Sequence, residues 1–157
     1  MGSNKGDLVD DFELLDQTGT PRRLTGLLAG GPVVLFFYPA AMTSGCTAES
    51  CHFRDLAAEF TAAGAQRVGI SRDAVDRQRA FADRHGFDYP LLSDADGAVA
   101  TAMGVKRRIP LGPLSTRRMT FVIDTDRRLL DVIQSEMSMN DHADRALRVL
   151  AARRRTG

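Results

Sequence analysis

The sequence predicts a three-layer α/β sandwich with a partly antiparallel sheet, and three observations predict it. Val33 to Tyr38 is a continuous apolar run, the signature of a strand covered on both faces. Amphipathic helical segments then alternate with short strands, a βαβ pattern. Near the C-terminus two β-rich runs flank a polar turn and lead into one last helix.

The elements follow in order. Phe12-Glu13-Leu14 and Pro21 to Leu24 flank the turn formers Asp16-Gln17-Thr18-Gly19, so the spacing predicts an N-terminal β-hairpin at a sheet edge. Gly30-Gly31-Pro32 punctuates the chain before the central strand, and Pro39 stops that strand. From Ser44 to Ala63 apolar residues recur at helical spacing, with Phe53, Leu56, Ala57 and Phe60 on one stripe and Gly64 as terminator. A strand at Arg67 to Ile70 and a helix from Asp73 to His85, stopped by Gly86, come next. Tyr89 to Leu92 reads as a strand, Gly97 to Met103 as a short helix and Lys106 to Arg117, with Pro110, Gly112 and Pro113, as a loop. Thr120 to Asp124 and Leu129 to Gln134 form a hairpin across Thr125 to Arg128, and Asp141 caps a helix from His142 to Arg153. One domain over residues 6–153 is expected.

Composition excludes more than it assigns. The 157 residues are 43% hydrophobic and 26% charged, ordinary for a globular protein and unlike a disordered one. A net charge of +1 gives no field to attract nucleic acid or anionic lipid, so neither is expected as a partner. Met1 to Gly6 holds no apolar segment of signal-peptide length, and Val33 to Tyr38 is too short to span a bilayer, so a cytoplasmic address is expected. Two cysteines are too few for a secreted disulfide framework, which leaves catalysis or metal binding as the question they pose. Four residues between them is an uncommon zinc-ligand spacing, and no bound cofactor or metal is expected.

The informative stretch runs from Tyr38 to Cys51, between the central strand and the long helix. Cys46 falls in the first turn of that helix, where unpaired N–H groups and the positive dipole end favour an anionic sulfur. Gly45 and Cys46 supply backbone donors, Thr43 a hydroxyl, and Pro39 shields and orients the loop. Arg118, just before the Thr120 strand, is the candidate cation, and period-2 alternation turns its neighbour Arg117 away. Glu49, one turn after Cys46, is placed to hold the head of such an arginine, and Tyr38 closes the strand beside the same loop. The competing readings are a buried structural thiol at Cys46, core filling at Cys51, a solvated strand-edge arginine at Arg118 and plain cap residues at Pro39 and Thr43. His52, His85 and His142 show no constellation and read as surface or structural.

Pro39, Thr43 and Cys46 have the spacing proline, three residues, threonine, two residues, cysteine, and with it the chain resembles the peroxiredoxins. Gly45-Cys46-Thr47-Ala48-Glu49, Cys51, Phe53-Arg54-Asp55, Gly69-Ile70-Ser71 and Leu91-Leu92-Ser93-Asp94 are similar to the bacterioferritin-comigratory or Q-type branch, over roughly residues 6 to 152. Arg118-Met119-Thr120-Phe121-Val122-Ile123-Asp124 resembles that family's arginine-bearing strand. Two departures stand out: Val9-Asp10-Asp11-Phe12 near the N-terminus, and Ser44 where a proline is common, which offers an alternative helix cap.

The resemblance implies a thioredoxin-like fold, with a mixed central sheet flanked by helices. It implies reduction of hydrogen peroxide or organic hydroperoxides by Cys46, activated by Thr43 and Arg118, with Gly45, Glu49 and Tyr38 on the substrate side. Cys51 would resolve the Cys46 sulfenic acid as an intramolecular disulfide, and an external thioredoxin-like dithiol would recycle it. A pair within one chain makes a monomer sufficient, without excluding a dimer. In an intact helix, residues five apart lie about 8.6 Å apart, beyond the disulfide limit of about 7 Å, so the first turns must unwind. A glutathione-peroxidase reading fails for want of tryptophan, and a thioredoxin-type reductase for want of two-residue spacing. The non-enzyme alternative is a thiol redox sensor or a thioredoxin-fold binding module.

Overall fold

The computed structural model describes residues 3–105, 117–135 and 138–156, with side chains to Arg153. Seven strands form one sheet in the order β2-β1-β5-β4-β3-β6-β7. They are β1 (Glu13–Leu15), β2 (Pro21–Arg23), β3 (Val33–Phe37), β4 (Gln66–Ser71), β5 (Leu91–Ser93), β6 (Met119–Ile123) and β7 (Leu129–Gln134). β3 pairs parallel with β4 and β4 with β5, while β6 runs antiparallel to both β3 and β7. The α/β sandwich with a mixed sheet and an N-terminal hairpin is therefore the fold. The hairpin turn is built on Asp16, whose Oδ1 accepts from the Thr18 and Thr20 N–H groups while Arg22 bridges to Oδ2 at 2.8 Å.

β3 explains the two-sided core. Alternate residues point to opposite faces, so Val33, Leu35 and Phe37 join one buried cluster and Val34, Phe36 and Tyr38 the other. The second cluster holds Cys46, Phe53 and Phe60, with Phe53 stacked on Phe36 at 4.1 Å between centroids. Burial of these rings, at roughly 1.5–3 kcal/mol each, fixes the long helix against the sheet.

Several boundaries differ from the sequence reading. The helix expected over 44–63 is two, α2 (Ser44–Asp55) and α3 (Ala57–Ala62), broken at Leu56. Arg67 explains how the break is tolerated: its Nη1 donates to the Phe53 carbonyl at 3.0 Å, satisfying an acceptor that a continuous helix would use at Ala57. A five-residue helix, α1 (Leu24–Leu28), occupies what was read as the end of the hairpin. Asp11 accepts from the Thr25 N–H at 3.1 Å and its hydroxyl at 3.2 Å, which ties the departing Val9-Asp10-Asp11-Phe12 stretch to that helix. The remaining helices are α4 (Val75–His85), α5 (Ala98–Ala102) and α6 (Asp141–Thr156). Gly86 ends α4 in the left-handed region, φ 65°, donating its N–H to Ala82. The loop expected at Lys106 to Arg117 lies outside the described residues except for Arg117.

Candidate active site

The loop after β3 is bolted down before it enters α2. The Ala41 N–H donates to Asp73 Oδ2 at 2.7 Å, the Ser71 hydroxyl donates to the same oxygen at 2.6 Å, and Arg77 bridges Asp73 Oδ1 at 3.2 Å and the Ala41 carbonyl at 3.3 Å. Met42 then sits at φ 70°, a left-handed conformation that costs a side-chain-bearing residue about 1–3 kcal/mol and persists because its surroundings fix it. Thr43 is the N-cap of α2 with extended backbone, and Thr47 closes the first turn on the Thr43 carbonyl at 2.8 Å. The Thr43 hydroxyl does not cap the helix. It donates to the Ala40 carbonyl at 2.8 Å and is exposed at the lip of the loop. Ser44 is the first helical residue and not an alternative cap.

Cys46 follows two residues later, fully buried, in the turn whose N–H groups have no carbonyl four residues back within the helix. Arg118 reaches it from the residue before β6: Nη2 lies 3.4 Å from Cys46 Sγ, and Nη1 lies 2.9 Å from Glu49 Oε1. Glu49 is fully buried and Arg118 is 7% exposed. Burial works against the guanidinium's charge, yet the Glu49 carboxylate and Cys46 sulfur beside it outweigh that and hold its pKa above the usual arginine value. Gly45 makes the approach feasible, since a methyl group there would stand 3.2 Å from Arg118 Nη2 and 3.6 Å from Met139 Sδ. A fixed cation, a carboxylate holding it and a helix N-terminus thus converge on one sulfur, an arrangement suited to stabilising negative charge on that atom or on an oxygen beside it.

The structure gathers Cys46, Gly45, Glu49 and Arg118, with Pro39 buried beneath the loop and Thr43 at its edge. Tyr38 is placed elsewhere: it is fully buried and its hydroxyl donates to Gln78 Oε1 at 2.5 Å, so it walls the core under the site instead of meeting solvent. Cys51 lies on the same helix, partly buried against the second cluster, and both thiols are free. Burial pushes the Cys51 thiol pKa up, with Arg54 pulling down and Asp55 pushing up. Its turn is held by other means: the Tyr89 hydroxyl donates to the Ser50 carbonyl at 2.7 Å, and the Arg67 guanidinium lies 5.1 Å from the Tyr89 ring centroid.

Three groups escaped the sequence reading. His142 is fully buried beside Glu49, not at the surface and not without a constellation. The sequence signal was a histidine adjoining the apolar stripe Ala143, Ala146 and Leu150. Asp73 and Met139 reach the loop from segments whose proximity only the fold reveals. Among the described residues no cluster of three or more His, Cys, Asp or Glu side chains could hold a metal ion. No helix among them is long and apolar enough to cross a membrane.

A family model described as the AhpC/TSA family matches residues 5–132. The chain is 65% identical over 147 residues to a putative peroxiredoxin of Mycobacterium tuberculosis, covering 94% of this chain and 96% of that one. It is 38% identical over 146 residues to a chloroplastic peroxiredoxin Q of Sedum lineare, covering 93% and 77%. The crystal structure of peroxidoxin BcpB from Mycobacterium tuberculosis superposes with a TM-score of 0.90 at 64% identity, covering 95% of this chain and 97% of that one. A bacterioferritin comigratory protein of Xanthomonas campestris, solved in work on its alkyl peroxide reduction, gives 0.86 at 31% identity, covering 96% and 99%.

Proposed function

The chain belongs to the AhpC/TSA family, on its peroxiredoxin Q and bacterioferritin-comigratory branch, and is a thiol peroxidase; from that premise we propose that Cys46 is the attacking sulfur and Cys51 the resolving one. One observation carries the reading: a single guanidinium, that of Arg118, lies 3.4 Å from Cys46 Sγ while Glu49 holds its other arm.

In the first step the Cys46 thiolate attacks one peroxide oxygen. The S–O bond forms as the O–O bond breaks, and the departing oxygen takes a proton to leave as water or an alcohol. Arg118 spans the sulfur and the breaking bond with forked donors, and the N–H groups around Gly45 and Cys46 face the same space. The Thr43 hydroxyl, at the lip, orients the incoming peroxide. In the second step the Cys51 thiol condenses with the Cys46 sulfenic acid, releasing water and forming a disulfide. Both cysteines lie on α2, so this step requires its first two turns to unwind, because their Cα atoms on a regular helix are about 8.6 Å apart. A thioredoxin-like dithiol then reduces the disulfide. No prosthetic group enters the cycle, and one domain over 6–153 acting as a monomer suffices. The bacterioferritin comigratory relative with alkyl peroxide reduction activity supports organic hydroperoxides as substrates beside hydrogen peroxide.

The test is continuous peroxide consumption with thioredoxin, thioredoxin reductase and NADPH. Wild type is expected to turn over many times and Cys46→Ser not at all, while Cys51→Ser is expected to keep the first oxidation and lose thioredoxin-supported turnover. Wild type that consumes one equivalent and stops would instead favour a redox sensor.

A further inference from the structure

Resting on the peroxidatic role of Cys46, the inference concerns what aims Arg118. His142, at the start of α6, is fully buried. Its Nε2 lies 2.8 Å from the Ser135 carbonyl, an atom that only accepts, so Nε2 carries a proton and donates. Its other edge faces the site: Nδ1 lies 2.7 Å from Thr120 Oγ1 and 3.5 Å from Glu49 Oε2. The opposite oxygen of Glu49 receives Arg118 Nη1 at 2.9 Å, and Nη2 of the same guanidinium stands 3.4 Å from the sulfur. The path from α6 through α2 to the head of β6 has no member more than 7% exposed.

We propose that His142 is a positioning residue for the peroxide reaction: its Nδ1 edge, with the Thr120 hydroxyl, fixes the Glu49 carboxylate and so aims Arg118 at the Cys46 sulfur and the peroxide bound there. Three features support it. Arginine is long and flexible, and a carboxylate gripped on both oxygens restricts it far more than one gripped on one. The groups come from three separate elements, so tertiary packing sets their geometry. In a buried setting each of these polar contacts is electrostatically stronger than it would be in water. The rival role is purely structural, with Nε2 fastening α6 to the end of β7 through Ser135.

The two edges of the ring separate by substitution. His142→Gln keeps an amide near Nε2 and has nothing at Nδ1, whereas His142→Asn keeps an amide near Nδ1 and has nothing at Nε2. The readout is the rate of Cys46 oxidation by hydrogen peroxide in a single turnover of the reduced full chain. His142→Gln is expected to slow it about tenfold, the scale of one lost hydrogen bond to a charged group, and His142→Asn to recover most of that loss. In a Glu49→Gln background His142→Gln is expected to add about twofold or less, because both act through one contact. No loss in either variant, equal loss in both, the reverse order, or a fully multiplicative loss with Glu49→Gln would each overturn the assignment. Should His142→Gln fail to fold, Thr120→Val takes its place in the same cycle, coupled loss supporting the role and independent loss refuting it. A single turnover needs no recycling, so wild type that oxidises once and stops refutes the peroxidase reading alone, while the variants still decide the role of His142.

Discussion

The two cysteine-bearing turns of α2 are held in opposite ways. Around Cys46 the restraints are charged and buried, with Arg118 and Glu49 converging from different elements and Gly45 leaving room for the guanidinium. Around Cys51 they are aromatic and directed at the backbone: Tyr89 on the Ser50 carbonyl, Arg67 on the Phe53 carbonyl, and Phe53 stacked on Phe36. The first set fixes a sulfur where charge must be stabilised; the second fixes a stretch of helix that, in the proposed cycle, has to open. Preorganisation for attack and readiness to unwind are thus written into neighbouring turns by different interactions.

Removing the charge at the first turn should have the largest effect. Arg118→Ala is expected to slow Cys46 oxidation by about 10²–10³, the range seen when a preorganised donor to developing charge is lost, with little change in disulfide formation once sulfenic acid is present. Single-turnover kinetics resolve the two phases. An equal slowing of both phases would mean that the two turns do not divide the work.

Loosening the second turn should act in the opposite sense. Tyr89→Phe keeps the ring against Arg67 and removes only the hydroxyl on Ser50, about 1 kcal/mol by the usual net worth of a hydrogen bond. Disulfide formation is expected to quicken about fivefold, with the first oxidation unchanged. Slower disulfide formation would show that Tyr89 guides the opening instead of resisting it.

The smallest effect concerns pH. Burial raises the Cys51 thiol, so the folded helix holds that proton to higher pH than the unfolded chain does. The contribution to stability is therefore full below the ordinary thiol range and is lost as pH rises through it. In Cys46→Ser, alkylation of Cys51 should accelerate at higher pH than in an unfolded peptide of the same sequence. A midpoint equal to or below the peptide's would contradict this.

The sheet and the motif were legible because their signals are local. Val33 to Tyr38 announces a buried strand by composition alone, and Pro39, Thr43 and Cys46 sit within eight residues of one another. Arg118 was legible only through resemblance to an arginine-bearing strand. What escaped depends on tertiary packing. The break at Leu56 accompanies a carbonyl taken by Arg67 from a neighbouring strand, and α1 is too short for a 3.6-residue period to register, although Leu24, Leu27 and Leu28 keep its buried face. His142 lies 93 residues from Glu49, so no spacing rule links them. Tyr38 was misjudged because a strand-end tyrosine next to a catalytic loop looks accessible until the partner of its hydroxyl, Gln78, is known.

The central claim is that one helix must be ordered for attack and disordered for resolution. Amide hydrogen exchange across residues 44–55, compared in the reduced protein and after one equivalent of peroxide, tests it most directly. The account predicts strong protection when reduced, and loss of that protection at 44–51 once the Cys46–Cys51 disulfide has formed. An oxidised protein carrying that disulfide with its α2 protection intact would contradict it.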